Sequence, residues 1–301
     1  MAEQPKQKTL VIRIDWWLGR VVAMTWAITE VAKQRPVKVI TSRPLVFRWN
    51  PYIKSVHWLD DRRLFEDVIK GNDYIELEPY TKAEFFNDWT NWLELARRQL
   101  WLKEISQPVL FMAEHEKLEN VLNWNNPILF QPFWSSMGQN WADKSYRSIR
   151  VEDAQYIANG LIANWFTVYV VERDDQPKLQ WCIQLTAQNL RWLVNLAARY
   201  PVLWCDSSMH HCAKAFWKTA IVLWSGTDAW RFWYDTSINL RESSEYTYVP
   251  FRLGVDFNLD IINQHTNIYS KEFLDKVIDT AVKTFIPKQC NNVCKNWNQM
   301  K

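Results

Sequence analysis

Glycine is in short supply in this chain of 301 residues: there are 6, against 20 tryptophans. A chain of this length ordinarily carries about 7% glycine, or about 21 residues. Glycine closes tight turns and helix ends because it enters left-handed backbone without steric cost. A chain so poor in it must either avoid such turns or force other residues into them. The tryptophans stand where turns are wanted: Trp49 in "RWNPY", Trp134 in "PFWSS", Trp165 in "ANWFTVYVV" and Trp217 in "AFWKTAIV", with Trp204 ahead of a loop in "VLWCDSS". Two readings are open. The protein is genuinely rich in tryptophan, or a codon that means glycine in the source, with UGA the candidate, is rendered here as tryptophan. On the second reading an indole at such a site clashes, protrudes into solvent or blocks a pocket, and Trp134 and Trp204 are the ones expected to block.

The rest of the composition is that of a globular protein long enough for two domains. Apolar residues make up 48% and charged residues 23%, with a net charge of +3. That small basic excess, with no run of Lys and Arg, argues against nucleic acid as a partner. The apolar runs are strand-sized and too short to span a bilayer. The start, "MAEQPKQK", lacks the apolar core of a signal peptide. Five scattered cysteines (Cys182, Cys205, Cys212, Cys290, Cys294) read as reduced cytosolic thiols, and no metal site is expected from them.

Undivided apolar strands alternate with helical patterns along the chain. "TLVIRID" (9–15), "VKVITS" (37–42), "SVHWLD" (55–60) and "DYIELEPY" (73–80) read as strands, with a helix over 21–34, a short helix in "RRLFEDVIK" and a longer one over 85–102. The pattern restarts with strand "PILFQPF" (127–133), helix 151–164, strand 166–173, helix 185–200, strand 201–206, helix 209–216 and strand 219–225. Strands that are apolar throughout belong to parallel sheets covered on both faces. The expected fold class is therefore α/β, with two Rossmann-like domains. A last amphipathic helix spans 270–286, and the tail after it reads as frayed.

Four segments in order resemble the family 9 glycosyltransferases, the group of the lipopolysaccharide heptosyltransferases. "LVIRID" with "LGRVVAMTWAI" is similar to the family's first strand, Gly-rich turn and helix, and "NPYIKSVHWLD" to its Asn-Pro-Tyr-Ile segment. "ILFQPFWSSMGQNWADKSY" is similar to its strand, Gly-Ser-Ser turn and Lys-x-aromatic element, and "CDSSMHHCAKAFWKTAIVLWSGTD" to its Asp-Ser-Gly-Pro-Met-His-Leu-Ala stretch, strand and Gly-Pro-Thr-Asp. The resemblance implies a GT-B architecture with two Rossmann-like domains facing across a cleft. It places an acceptor-side domain at 1–120, a nucleotide-sugar domain at 121–268, and at 269–301 a helix packing back on the N-terminal domain. It implies metal-independent, inverting transfer of a heptose-like or other hexose unit from a nucleotide-diphosphate sugar to a cell-envelope glycan or lipid-linked acceptor, with no cofactor. A cytoplasmic enzyme with peripheral contact at the inner membrane face follows from that. The alternative is a catalytically inactive nucleotide-binding protein on the same fold.

The chemistry of such a cleft can be stated on its own terms. A departing nucleoside diphosphate gathers negative charge, which helix N-terminal amides and a Lys or His can stabilise. Asp206, Ser207, Ser208 and Met209 open a helix at the carboxyl end of a strand, where α/β sheets bind ligands. Ser207 and Ser208 would donate to phosphate oxygens and Met209 would pack under a base or ribose. By resemblance, Ser135, Ser136 and Lys144 would bind the donor, with Lys144 also catalytic through its reach to the diphosphate, His211 matches the family histidine, and Thr227 and Asp228 match its Thr-Asp. The bland alternatives are helix capping by Asp206 or Ser207, a core histidine at His211, a surface lysine at Lys144 and a plain turn at 227–228. The family's acid after the first-turn glycine is replaced here by Arg20, which would bind an anionic acceptor or the donor phosphates. Asp15 is then the nearest carboxylate for the base that removes the acceptor's proton, or else a structural Asp bonding turn amides.

Overall fold

The computed structural model describes residues 8–15, 17–79, 82–88, 90–117, 122, 125–134, 147–172, 176–225, 227, 229–242 and 269–286. Two parallel sheets organise them. The first contains β1 (Leu10–Arg13), β2 (Val37–Thr41), β3 (Ile53–Trp58) and β4 (Asp73–Glu76), in the order β3-β2-β1-β4. Helix α1 (Leu18–Ala32) crosses from β1 to β2. The second contains β5 (Pro127–Gln131), β6 (Thr167–Glu172), β7 (Ile183–Thr186), β8 (Val202–Cys205), β9 (Ala220–Leu223) and β10 (Ile238–Leu240), in the order β10-β9-β8-β5-β6-β7. All the pairings are parallel. In both sheets a central strand is flanked by strands reached through crossovers in opposite directions, which is the doubly wound arrangement the apolar runs imply.

The remaining α-helices among the described residues are α2 (Ala83–Asn87), α3 (Trp92–Gln99), α4 (Val151–Ala163), α5 (Leu190–Arg199), α6 (Ser208–Ala215), α7 (Ala229–Phe232) and α8 (Lys271–Phe285). One continuous apolar cluster joins the domains, running from Ile12, Val22 and Trp26 through Trp92 to Met209, Cys212 and Trp224. Helix α1 packs on α6, and α3 on α7. Polar contacts, buried and exposed, tie the same interface. Arg231 donates to the Phe85 carbonyl at 2.8 Å, and Asn91 to the Trp230 carbonyl at 2.9 Å. Arg191 pairs with Glu116 at 2.6 Å.

Several elements differ from the sequence reading. The helix expected over 85–102 is two short helices, because Asn91 caps α3 by accepting from the Leu93 amide at 2.8 Å. The segment 65–69 is a single π-helical turn. The helix expected from residue 185 begins at Leu190, with Asn189 as its cap, and the residues before it form edge strand β7. Strand β10 was not anticipated. The apolar stripe of α8 (Phe273, Leu274, Val277, Ile278, Ala281) lies with Ala154, Ile157, Ala158 and Leu161 of α4. It thus packs inside the second domain, not back on the first as the resemblance implies. Gly160 makes that close approach feasible: a β-carbon there would stand 2.9 Å from Ile278 Cγ1.

Candidate active site

The carboxyl ends of β1, β5 and β8 and the first turns of α1 and α6 converge. Strand β8 delivers Asp206 and Ser207, and α6 starts at Ser208. Ser207 occupies the N-cap position in extended backbone, yet its side chain makes no capping hydrogen bond. The first-turn amides of this eight-residue helix are therefore not served by that hydroxyl, and a helix N-terminus attracts anions.

Asp206 is buried. Its carboxylate lies 3.6 Å from the Arg147 guanidinium and 3.4 Å from His210 Nε2. Burial pushes its pKa up, but the Arg147 and His210 charges and the Thr227 hydroxyl outweigh that and hold it below the ordinary Asp value. Arg147 is clamped from two other sides. Its guanidinium is 4.9 Å from the ring of Trp17, in the first domain, and 5.2 Å from that of Trp134, in the second. The two indoles meet edge to face at 6.0 Å. A cation between two aromatic faces, beside one buried carboxylate, is a strongly anchored charge.

His211 is buried and shares a hydrogen bond of 2.8 Å between its Nδ1 and the Tyr234 hydroxyl. Burial lowers its pKa well below the usual histidine value, and the nearby His210 and Arg147 charges push the same way. It is thus a neutral ring wedged among His210, Trp92 and Tyr234. Burial raises the Tyr234 phenol in turn. Met209 is part of the interdomain core, not a surface platform. Thr227 is buried beside Asp206, whereas Ser135, Ser136, Lys144 and Asp228 lie outside the described residues, as do Cys290 and Cys294.

On the first domain, Asp15 Oδ1 accepts from the Ser42 amide at 3.0 Å and from the Ser42 hydroxyl. That contact ties β1 to the end of β2 and matches the structural alternative for Asp15. Arg20 is buried, with its guanidinium held by Glu78 and the Asp15 carbonyl. The cation expected to meet an anionic ligand is thus paired with an internal carboxylate, so the structure does not direct it into the cleft. Sequence reasoning missed Arg147, His210 and Tyr234. Only Arg147 had a usable signal, being a second basic residue just after the Lys-x-aromatic element. Among the described residues no group of three or more His, Cys, Asp or Glu could hold a metal ion. None of their helices is long and apolar enough to cross a membrane.

No family profile matches the chain, and no curated protein matches its sequence. Solved structures do match in three dimensions. The iron-containing dodecameric glycosyltransferase TibC from enterotoxigenic E. coli H10407 superimposes with a TM-score of 0.68 at 12% identity, over 93% of this chain and 77% of that one. The family 9 glycosyl transferase of Veillonella parvula gives 0.63 at 12% identity, over 94% and 99%. The E. coli ADP-heptose lipopolysaccharide heptosyltransferase II gives 0.55 at 16% identity, over 91% and 99%. The chain therefore has the GT-B-like fold of the family 9 heptosyltransferase structures.

Proposed function

We propose that this protein is a glycosyltransferase that moves a heptose-like or other hexose unit from a nucleotide-diphosphate sugar to a cell-envelope glycan or lipid-linked acceptor. The observation that carries this reading is the anchored Arg147–Asp206 pair at the N-terminus of α6, on the carboxyl edge of the second sheet of a family 9-like fold. TibC has been crystallised with ADP-D-β-D-heptose and the E. coli enzyme WaaC with a fluorinated ADP-heptose, which favours a nucleotide-diphosphate heptose as donor. In this reading the leaving diphosphate is stabilised by Arg147, by Lys144 and by the amides of α6. No metal or cofactor takes part. Asp15 removes the acceptor's proton and attack from the far face inverts the anomeric centre. The reaction takes place in the cytoplasm, with the protein resting at the inner membrane face.

A second reading, a nucleotide-binding protein without turnover, draws on Arg20 standing at the usual acidic position and pairing with Glu78. A screen of nucleotide sugars, read by nucleoside diphosphate release and by calorimetric nucleotide binding, separates the two. Diphosphate release from one donor, dependent on acceptor, supports transfer. Nucleotide binding without release supports the second reading, and the absence of both removes both.

A further inference from the structure

Among the described residues, six other than glycine have a left-handed backbone: Asn126 and the tryptophans Trp49, Trp101, Trp165, Trp181 and Trp217, with φ of 52–67° for the five. Asn is an ordinary occupant of that region, whereas a bulky aromatic there is an outlier. Three of the five end helices in one shared pattern. After α3, Trp101 donates to the Arg98 carbonyl at 3.2 Å and Leu102 to Arg97 at 2.9 Å. After α4, Trp165 donates to Ile162 at 3.0 Å and Phe166 to Leu161 at 3.1 Å. After α6, Trp217 donates to Lys214 at 3.0 Å and Lys218 to Ala213 at 3.1 Å. This paired bonding is the Schellman motif, whose left-handed residue is most often glycine. Gly71, at φ 77°, is the third residue of the turn over 69–72, closed by the Asn72 amide donating to the Ile69 carbonyl at 3.0 Å, a place that also calls for glycine.

Trp49 meets the His115 ring edge-on at 5.5 Å and lies under the Arg48 guanidinium, but the other four indoles contribute little. Trp101, Trp165, Trp181 and Trp217 are 74–82% exposed. The fold uses the backbone of these residues, not the side chain. A separate sign comes from the interior, where a buried indole N–H normally finds an acceptor. Trp224 does, donating to Asn239 at 2.9 Å. The indole nitrogens of Trp26, Trp92 and Trp204 are buried without a partner among the described residues.

We propose that the natural chain carries glycine at positions 49, 101, 165, 181 and 217, the codon rendered as tryptophan there being read as glycine in the source cell. The reading stands on backbone geometry and the count of 6 glycines against 20 tryptophans, and is independent of the proposed activity. Two measurements test it. Peptides spanning the five positions, from protein made in its own cells, are weighed by mass spectrometry, and the same codons are read in the gene. Glycine masses with UGA codons are expected. Tryptophan masses, or UGG at Trp101, Trp165 and Trp217, overturn the proposal. The thermal midpoint of the chain as written is then compared with that of the variant carrying Trp49→Gly, Trp101→Gly, Trp165→Gly, Trp181→Gly and Trp217→Gly. Relief of five strained residues is expected to raise Tm by on the order of 10 °C or more. A fall in Tm overturns the strain on which the proposal rests.

Discussion

Gly19 and His211 touch across the domain interface. A β-carbon on Gly19 would stand 3.0 Å from His211 Cδ2, 3.3 Å from Nε2 and 3.3 Å from the Ser208 Cα. The first turn of α1 can approach the first turn of α6 this closely only because residue 19 has no side chain. His211 cannot swing aside, since Tyr234 holds its Nδ1 and Trp92 and His210 pack its faces.

Gly19→Ala therefore sets two effects against each other. Alanine gains up to about 1 kcal/mol in helix propensity, less in a first turn. Overpacking against a fixed ring and a backbone atom costs about 1–3 kcal/mol. The expected net is a loss of about 1 kcal/mol, seen as a fall of about 2–4 °C in Tm. A rise in Tm on calorimetry would show that the two helices can separate without cost.

The neutral state of His211 gives the stability a pH dependence of known sign. Its folded pKa lies well below the usual 6.5. As pH falls below about 6.5, the unfolded chain takes up a proton at residue 211 and the folded chain does not. The unfolded state then binds more protons, so stability falls with falling pH between about 7 and 5. His211→Gln keeps a polar side chain but cannot titrate. Urea midpoints measured across that range should slope for the parent and be flatter for the variant; parallel slopes would place the protonation elsewhere.

How much of this was legible in the sequence depends on which residues packing leaves undivided. Strands β1, β5, β6, β8 and β9 are buried on both faces and read as near-continuous apolar runs, and β2 is broken only at the half-buried Lys38, so the two-domain α/β fold was visible. Edge strands β7 and β10 are short and half-buried, and "IQLT" merged with the helix after it. The placing of Asp206, Ser207 and His211 at a strand end and helix start was legible because it is fixed locally, whereas the burial of His211 against Trp92 and Tyr234, which fits its reading as a core histidine, comes from the other elements. Arg147 was not, because its place beside Asp206 exists only once β5 and β8 are paired. The fate of Arg20 was hidden for the same reason: its partner Glu78 arrives from the end of β4. Trp204 was expected to block the ligand site, but strand alternation turns it into the core, 4% exposed.

Asp15→Asn separates base from brace. Asparagine keeps an oxygen for the Ser42 amide, so the tie between β1 and β2 survives and Tm should hold within about 2 °C. It cannot accept the acceptor's proton. A general base contributes about 10²–10⁴-fold, so turnover should fall by at least about 10² with donor affinity unchanged. Equal loss of Tm and turnover would leave Asp15 with its structural role only.

Trp17 and Trp134 bear on whether the cleft is open. Their indoles lie over the Arg147 guanidinium at 4.9 and 5.2 Å and bridge the domains across the carboxyl edges of β1 and β5. A phosphate approaching Arg147 must displace them. Replacing both with glycine removes half-buried apolar surface, yet leaves Arg147 paired with Asp206 and so still oriented. A hydrogen bond from a charged donor contributes about 1.5–3 kcal/mol, or about 10–150-fold in affinity. The Trp17→Gly, Trp134→Gly double variant should therefore bind ADP at least about tenfold more tightly than the parent, measured by titration calorimetry. Adding Arg147→Met to that background should cancel the gain. An unchanged Kd in the double variant, or a gain that survives Arg147→Met, would mean that the diphosphate binds away from Arg147 and that the pair with Asp206 serves only to hold the loop at 147–150 against β8.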